Sequence, residues 1–86
     1  MDAIVKIIES YKGVTAASVA IFGKKSLAIM INADGANGKN MPLIATKILN
    51  KYSDVEFVHF TGGFMEYVYT RRTLSYLGYN LKKVAE

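Results

Sequence analysis

The chain predicts an α+β domain of order α-ββ-α-ββ-α, a pseudo-repeat in which the helices gather on one face of a four-stranded, mainly antiparallel sheet. Three observations carry this expectation. The segments KIIESYKGV, from Lys6, and KILNKYSDV, from Lys47, read as two copies of one amphipathic stretch. Each copy is followed by two hydrophobic runs broken by glycine, first around Gly23 and then at Gly62 and Gly63. A last leucine stripe closes the chain. At 86 residues this is one domain, 1–86, with repeat-like halves at 2–32 and 42–71 and a C-terminal helix at 73–85.

Asp2 is placed to cap a first helix in which Ile4, Val5, Ile7, Ile8 and Tyr11 share a face, and Gly13 is placed to end it in a left-handed conformation. From Val14 the pattern alternates, with Ala17, Val19 and Ile21 on one side and Ser18, Ala20 and Phe22 on the other. Leu27, Ile29 and Ile31 repeat this alternation after the turn. Matching the apolar sets puts residue 21 opposite 27 and leaves Gly23, Lys24 and Lys25 as the loop.

The polar stretch NADGANGKN, 32–40, is a connector, with Asn40 expected to cap a second helix begun by Pro42 and carrying Leu43, Ile44, Ile48, Leu49 and Tyr52. Runs at 55–61 and 64–71 then pair across Gly62 and Gly63, a dipeptide suited to tight turns with positive φ. Thr73 is expected to cap the last helix, whose Leu74, Leu77, Leu81 and Val84 form its apolar stripe. Carrying the repeat through places Val58, Phe60, Met65, Tyr67 and Tyr69 under the helices. The open face then holds Ser18, Ala20, Phe22, Ala28, Met30, Phe57, His59, Thr61, Phe64, Glu66 and Val68.

Composition narrows the function classes. A domain of this size hides only about 60–65% of its extended-chain surface, yet 51% of the residues are apolar. A self-association interface is therefore expected, with Phe22, Met30, Phe57 and Phe64 as its candidates. Absence of cysteine excludes disulfides and thiolate zinc sites. The first residues, MDAIVKIIESYKG, lack the basic start and unbroken apolar run of a secretory signal, and no apolar run is long enough to span a membrane. A cytoplasmic protein is expected. Richness in Lys, Asn, Ile, Tyr and Phe, with few Arg and Pro and no Trp, fits an AT-rich genome such as many bacteria and phages have. In that setting a regulator or inhibitor of a nucleic-acid-handling enzyme, acting in the host cytoplasm if phage-encoded, is a natural role.

A net charge of +4 and a pI near 9.4 favour polyanions. Lys24, Lys25, Lys39, Arg71, Arg72, Lys82 and Lys83 are the cations least balanced by nearby acids, and they suit phosphate contacts that carry no sequence information. The second hairpin adds aromatics, and Tyr67 and Tyr69 beside the arginine pair are the candidates for stacking on bases. The segment from Gly63 to Tyr69 is superficially similar to the aromatic strand of RNA-recognition domains, but Met65 and Glu66 break that motif and the element order differs. The expectation is a small, basic, non-enzymatic protein that binds RNA or single strands and forms a homo-oligomer. The alternative is an interaction module that docks a protein partner or a second copy through its open sheet face.

Other chemistries fare less well. In a two-residue turn His59 would face Glu66 across the strands, the one acid–base pair the chain offers, without a nucleophile beside it. The loop 34–40 leads to a helix N-terminus that could hold a phosphate, but Ala33 and Asn40 stand where a P-loop needs Gly and Ser or Thr. Gly35 to Gly38 matches the GxxG of KH domains, yet a strand and not a helix precedes it. Asn32, Asp34 and Asn37 offer a single carboxylate, short of the set and the final Glu of an EF-hand calcium loop. No cofactor and no metal is expected.

Overall fold

A computed structural model describes residues 2–62 and 66–82. The order is α1 (Asp2–Glu9), β1 (Thr15–Phe22), β2 (Leu27–Asp34), α2 (Met41–Lys51), β3 (Val55–Phe60), β4 (Tyr67–Thr70) and α3 (Arg71–Tyr76). The α+β architecture expected from the pattern is present. The four strands lie in the order β1-β2-β3-β4, antiparallel in each hairpin and parallel between β2 and β3. The parallel central pair follows from chain geometry: α2 crosses from one end of β2 back to the start of β3, and such a crossover sets its two strands parallel.

One apolar cluster lies beneath the helices. Ile4 and Ile8 of α1, Ile44, Ile48 and Leu49 of α2 and Leu74 of α3 meet Ile29, Ile31, Val58 and Phe60 of the central strands. Helical spacing puts Ile4 and Ile8, and Ile44 and Ile48, on single faces, while alternation in β2 and β3 sends every second residue inward. The faces are therefore as the alternation predicts, but both registers differ from expectation by two residues. Ile21 pairs with Ile29 rather than residue 27, and Phe60 pairs with Tyr67, so 59 faces Val68 and not Glu66. A shift of two preserves which side chains point inward. A one-residue irregularity does not: β1 bulges between Ala16 and Ser18, so Ala16 joins the core and Ala17 is left exposed.

Two helix boundaries, both of α3, also differ from the sequence reading, while the start of α2 falls where expected. Asn40 stands at the N-cap position of α2 as expected but makes no side-chain cap bond to the helix; the turn before it is closed by Asn37, whose Oδ1 accepts from the amides of Lys39 at 2.8 Å and Asn40 at 3.1 Å. The Asn40 side chain returns the bond, accepting from the Asn37 amide at 2.7 Å, which makes a reciprocal capping box. Thr70, not Thr73, caps α3, accepting from the Thr73 amide at 3.1 Å. That helix ends at Tyr76 instead of running to 85, because Gly78 at φ +96° lets the Tyr79 amide reach back to the Leu74 carbonyl and the Gly78 amide to that of Ser75. Tyr79 and Leu81 continue against the core as an extended segment, tied to α2 by Asn50, which donates to the Asn80 carbonyl at 2.9 Å and accepts from the Lys82 amide at 2.7 Å. Met65, Phe64 and residues 83–86, including Lys83 and Val84, lie outside the described residues.

The doubled sequence does not make a doubled structure. Viewed from the helical side with its first strand pointing up, α1-β1-β2 adds its second strand on one side, and α2-β3-β4, rotated to match, adds it on the other. This follows from the strand order, the parallel β2–β3 pair and helices on one side. The halves have opposite hands and cannot superpose.

Candidate nucleic-acid interface

The sheet face away from the helices is uncovered by any described element, and the registers order its side chains into rows. Phe22, Ala28, Phe57 and Thr70 lie side by side across all four strands, and Ala20, Met30, His59 and Val68 form the next row. Phe22 is 52% exposed and Val68 50%, whereas Met30, Phe57 and His59 are half-buried by their neighbours. With the small Ala28 between them, the rings of Phe22 and Phe57 stand two strand spacings apart, roughly 9–10 Å. Such a surface is largely apolar, with the Phe22 ring the more open of the two.

The first row ends at cations on both sides. Lys24 and Lys25 follow Phe22 by two and three residues at the exposed β1–β2 tip, and exposed Arg72 follows Thr70 by two. The same end of the molecule collects more. The Leu27 amide donates to the Asp54 carbonyl at 3.3 Å, which fixes the hairpin tip near the end of α2. Lys51 is in the last turn of α2, and the amide of exposed Lys82 is held by Asn50 one residue before it. Lys6, Lys47 and Lys51 line a groove between α1 and α2, with Asp2 on its rim. The ammonium groups of Lys47 and Lys51 lie 5.3 and 5.7 Å from the ring centroids of Tyr11 and Tyr52, within cation–π range. Against these cations this end carries Asp2, Asp54 and Glu56. The opposite end, where β2 and β3 finish, carries Glu9, Asp34 and Glu66 with Lys12 and Lys39. Charge is thus segregated along the strand direction.

Arg71 has another task. Its guanidinium donates to the carbonyls of Val55, Leu49 at 2.8 Å and Tyr52 at 3.0 Å, closing the C-terminal end of α2 and the turn into β3. A cation there also suits the negative end of the helix dipole. With its fork committed to backbone, Arg71 is removed from the group that can reach a phosphate. Tyr69 is likewise taken up by packing, 7% exposed and edge-on to Phe60 with ring centroids 5.9 Å apart. Burial raises its phenol above the ordinary value of 10.0, with further contributions from Tyr67 and Tyr79. Tyr67, 36% exposed, is on the helical side at the acidic end. Of the residues singled out in the sequence, Lys24, Lys25, Arg72 and Lys82 come together, Phe22, Met30 and Phe57 share the open face, and Lys39 stands apart. Lys6, Lys47 and Lys51 were overlooked. The signal for two of them was the repeat itself, since Lys6 and Lys47 are its equivalent first residues.

The remaining chemistry is sparse. His59 Nε2 lies 3.8 Å from a Glu66 carboxylate oxygen, too far for a hydrogen bond, and is itself buried without a partner. A cavity of about 440 Å³ at the carboxyl ends of β2 and β3 is lined by Asn32, Asp34, Thr61, Phe60, Met41 and Tyr67 among others. The neighbouring amides of Lys39 and Asn40 are already engaged by Asn37 and the Asp34 carboxylate faces the same space, so an anion is poorly served there. Among the described residues no cluster of His, Cys, Asp or Glu could hold a metal ion, and no helix is long and apolar enough to cross a membrane. No family model, curated protein or solved structure matches the chain.

Proposed function

We propose that this protein binds single-stranded nucleic acid, RNA in particular, without catalysing its cleavage. One observation carries the reading: the row Phe22–Ala28–Phe57–Thr70 crosses an uncovered sheet face and is flanked by Lys24 and Lys25 at one side and Arg72 at the other. Bases stack on exposed rings while cations hold the phosphates that link them. Duplex nucleic acid offers no free base faces to such a row, which favours single strands. Lys82 and the groove cations Lys6, Lys47 and Lys51 extend the positive surface around the same end, so the strand has a path off the sheet edge. Affinity then comes from charge and stacking with little sequence preference, since nothing in the row presents a set of hydrogen-bonding groups to base edges.

The test is fluorescence anisotropy of a labelled oligouridine across a salt series. Three phosphate contacts, from Lys24, Lys25 and Arg72, give a slope of log K against log salt near −2, at about −0.7 per contact. Phe22→Ala is expected to cost about 1–3 kcal/mol of binding and leave the slope unchanged. Lys24→Ala with Lys25→Ala is expected to flatten the slope. Binding that is absent at low salt, or indifferent to Phe22→Ala, would sink the platform. It would favour the open face as a docking surface for protein.

A further inference from the structure

The two edges of the sheet are unlike. β4 is four residues long and runs directly into α3, while β1 is eight residues long and nothing among the described residues pairs with its outer side. The sequence of β1, TAASVAIF, contains no charge and no proline. Those are the usual means of keeping an edge from pairing. One local device guards its first half: the bulge at Ala17, together with the Glu9 carboxylate, which accepts from the Ala16 amide at 3.0 Å. Beyond it, from Ser18 to Phe22, the edge is regular and greasy on both sides, with Ile21 43% exposed on the helical face and Phe22 on the open one.

We infer that β1 pairs antiparallel with β1 of a second copy about a two-fold axis beside Ala20, joining two sheets into one of eight strands. An isologous pairing of residues 18–22 puts Val19 opposite Ile21 of the second copy, and Ser18 opposite its Phe22, twice over. The exposed Ile21 side chains gain apolar neighbours on the helical face. Charge selects the direction. The cations of each protomer gather at the end where β1 finishes and the carboxylates of Glu9 and Asp34 at the end where it starts. Antiparallel pairing lays the Lys24–Lys25 tip of one copy beside Ala16 and Glu9 of the other. Parallel pairing would set tip against tip. The joined sheets also make one continuous open face, with the two Phe22 rings near its centre and the cationic ends at opposite extremes.

Sedimentation equilibrium of the full chain, without nucleic acid, tests this separately from the binding reading. The expected mass is twice 9.5 kDa. Ile21→Lys places a charge on an already exposed edge position and is expected to give monomer with an unchanged circular dichroism spectrum. Reversing the tip by Lys24→Glu and Lys25→Glu is expected to weaken the dimer about tenfold, and adding Glu9→Lys in the same chain to restore most of it. As a check that needs no variant, amide exchange in residues 18–22 is expected to slow as wild-type concentration rises. A monomer at about 0.1 mM, well above a micromolar Kd, would overturn the proposal. So would a dimer insensitive to Ile21→Lys and to tip reversal, or exchange at 18–22 independent of concentration.

Discussion

Arg71 shows how a charged residue at the surface of a basic chain can be structural. Three carbonyls at the end of α2 converge on its guanidinium, and truncation would leave them without that donor in a partly buried setting. Arg71→Ala is expected to cost about 3 kcal/mol in urea unfolding, given that a hydrogen bond to a charged group contributes about 1.5–3 kcal/mol and the three are not additive. Arg71→Lys is expected to recover less than half, because an ammonium is a point charge and cannot fork between them. The neighbouring Arg72→Ala, exposed, is expected to leave stability within about 0.5 kcal/mol while weakening oligonucleotide binding. Tyr69 adds an alkaline dependence to stability. Its phenol titrates above 10.0 in the fold, from burial first and from Tyr67 and Tyr79 second. The folded state therefore holds its proton where the unfolded state releases one. Stability is unaffected below 10 and falls as pH rises from there through the folded value, by at most about 1.4 kcal/mol per pH unit for one proton. Tyr69→Phe is expected to flatten that fall, and absorbance titration of wild type to show one phenol ionising late.

The connector between β2 and α2 is fixed by local hydrogen bonds and one close backbone approach. Asn37 and Asn40 cap each other's amides, so Asn37→Ala is expected to cost about 1 kcal/mol, and the double replacement with Asn40→Ala less than the sum, both read from urea midpoints at constant slope. Gly35 and Gly13 share φ +82°, but a Cβ on Gly35 would lie 1.9 Å from the Gly13 carbonyl oxygen whereas one on Gly13 would meet nothing within 4 Å. Gly13→Ala is expected to cost the roughly 1–2 kcal/mol of a left-handed alanine, and Gly35→Ala clearly more in the same assay. These elements also show what the sequence could disclose. Among the described residues, face assignments survived because both hairpins slipped by two, the period of a strand, and only the bulge at Ala17 exchanged a pair. Asn40 is legible as the α2 cap position, but its exchange of bonds with Asn37 is not, because Asn at both ends of a capping box lacks the usual Glu or Gln signature. In α3 the leucine spacing suggested a longer helix, but Gly78 and its returning amides end it. Phe22 and Phe57 were legible as open-face residues from alternation alone. The cationic end was not, because it depends on α1 lying antiparallel to α2 and on β2 pairing with β3, contacts between residues far apart in the chain.

The opposite hands of the two halves bear on how the molecule folds. In a true tandem repeat each unit makes like contacts with its neighbour, and part of the array can stand alone. Here the centre of the sheet is the parallel seam between β2 and β3, one strand from each half, and the core beneath it draws Ile4, Ile8, Ile29 and Ile31 from the first half and Ile44, Ile48, Val58 and Phe60 from the second. Cutting before α2 would leave a helix and a two-stranded hairpin with Ile29 and Ile31 bared. Both halves are shorter than the roughly 55–65 residues at which small domains fold alone, and an isolated hairpin is marginal at best. Fragments 1–38 and 39–86 are therefore each expected to give disordered far-ultraviolet spectra when prepared separately. The intact chain is expected to unfold in one cooperative step, with tyrosine fluorescence and circular dichroism coincident. A cooperative melt of either fragment would mean that the half supplies its own core, and the sequence repeat would then mark a folding unit that the seam merely joins.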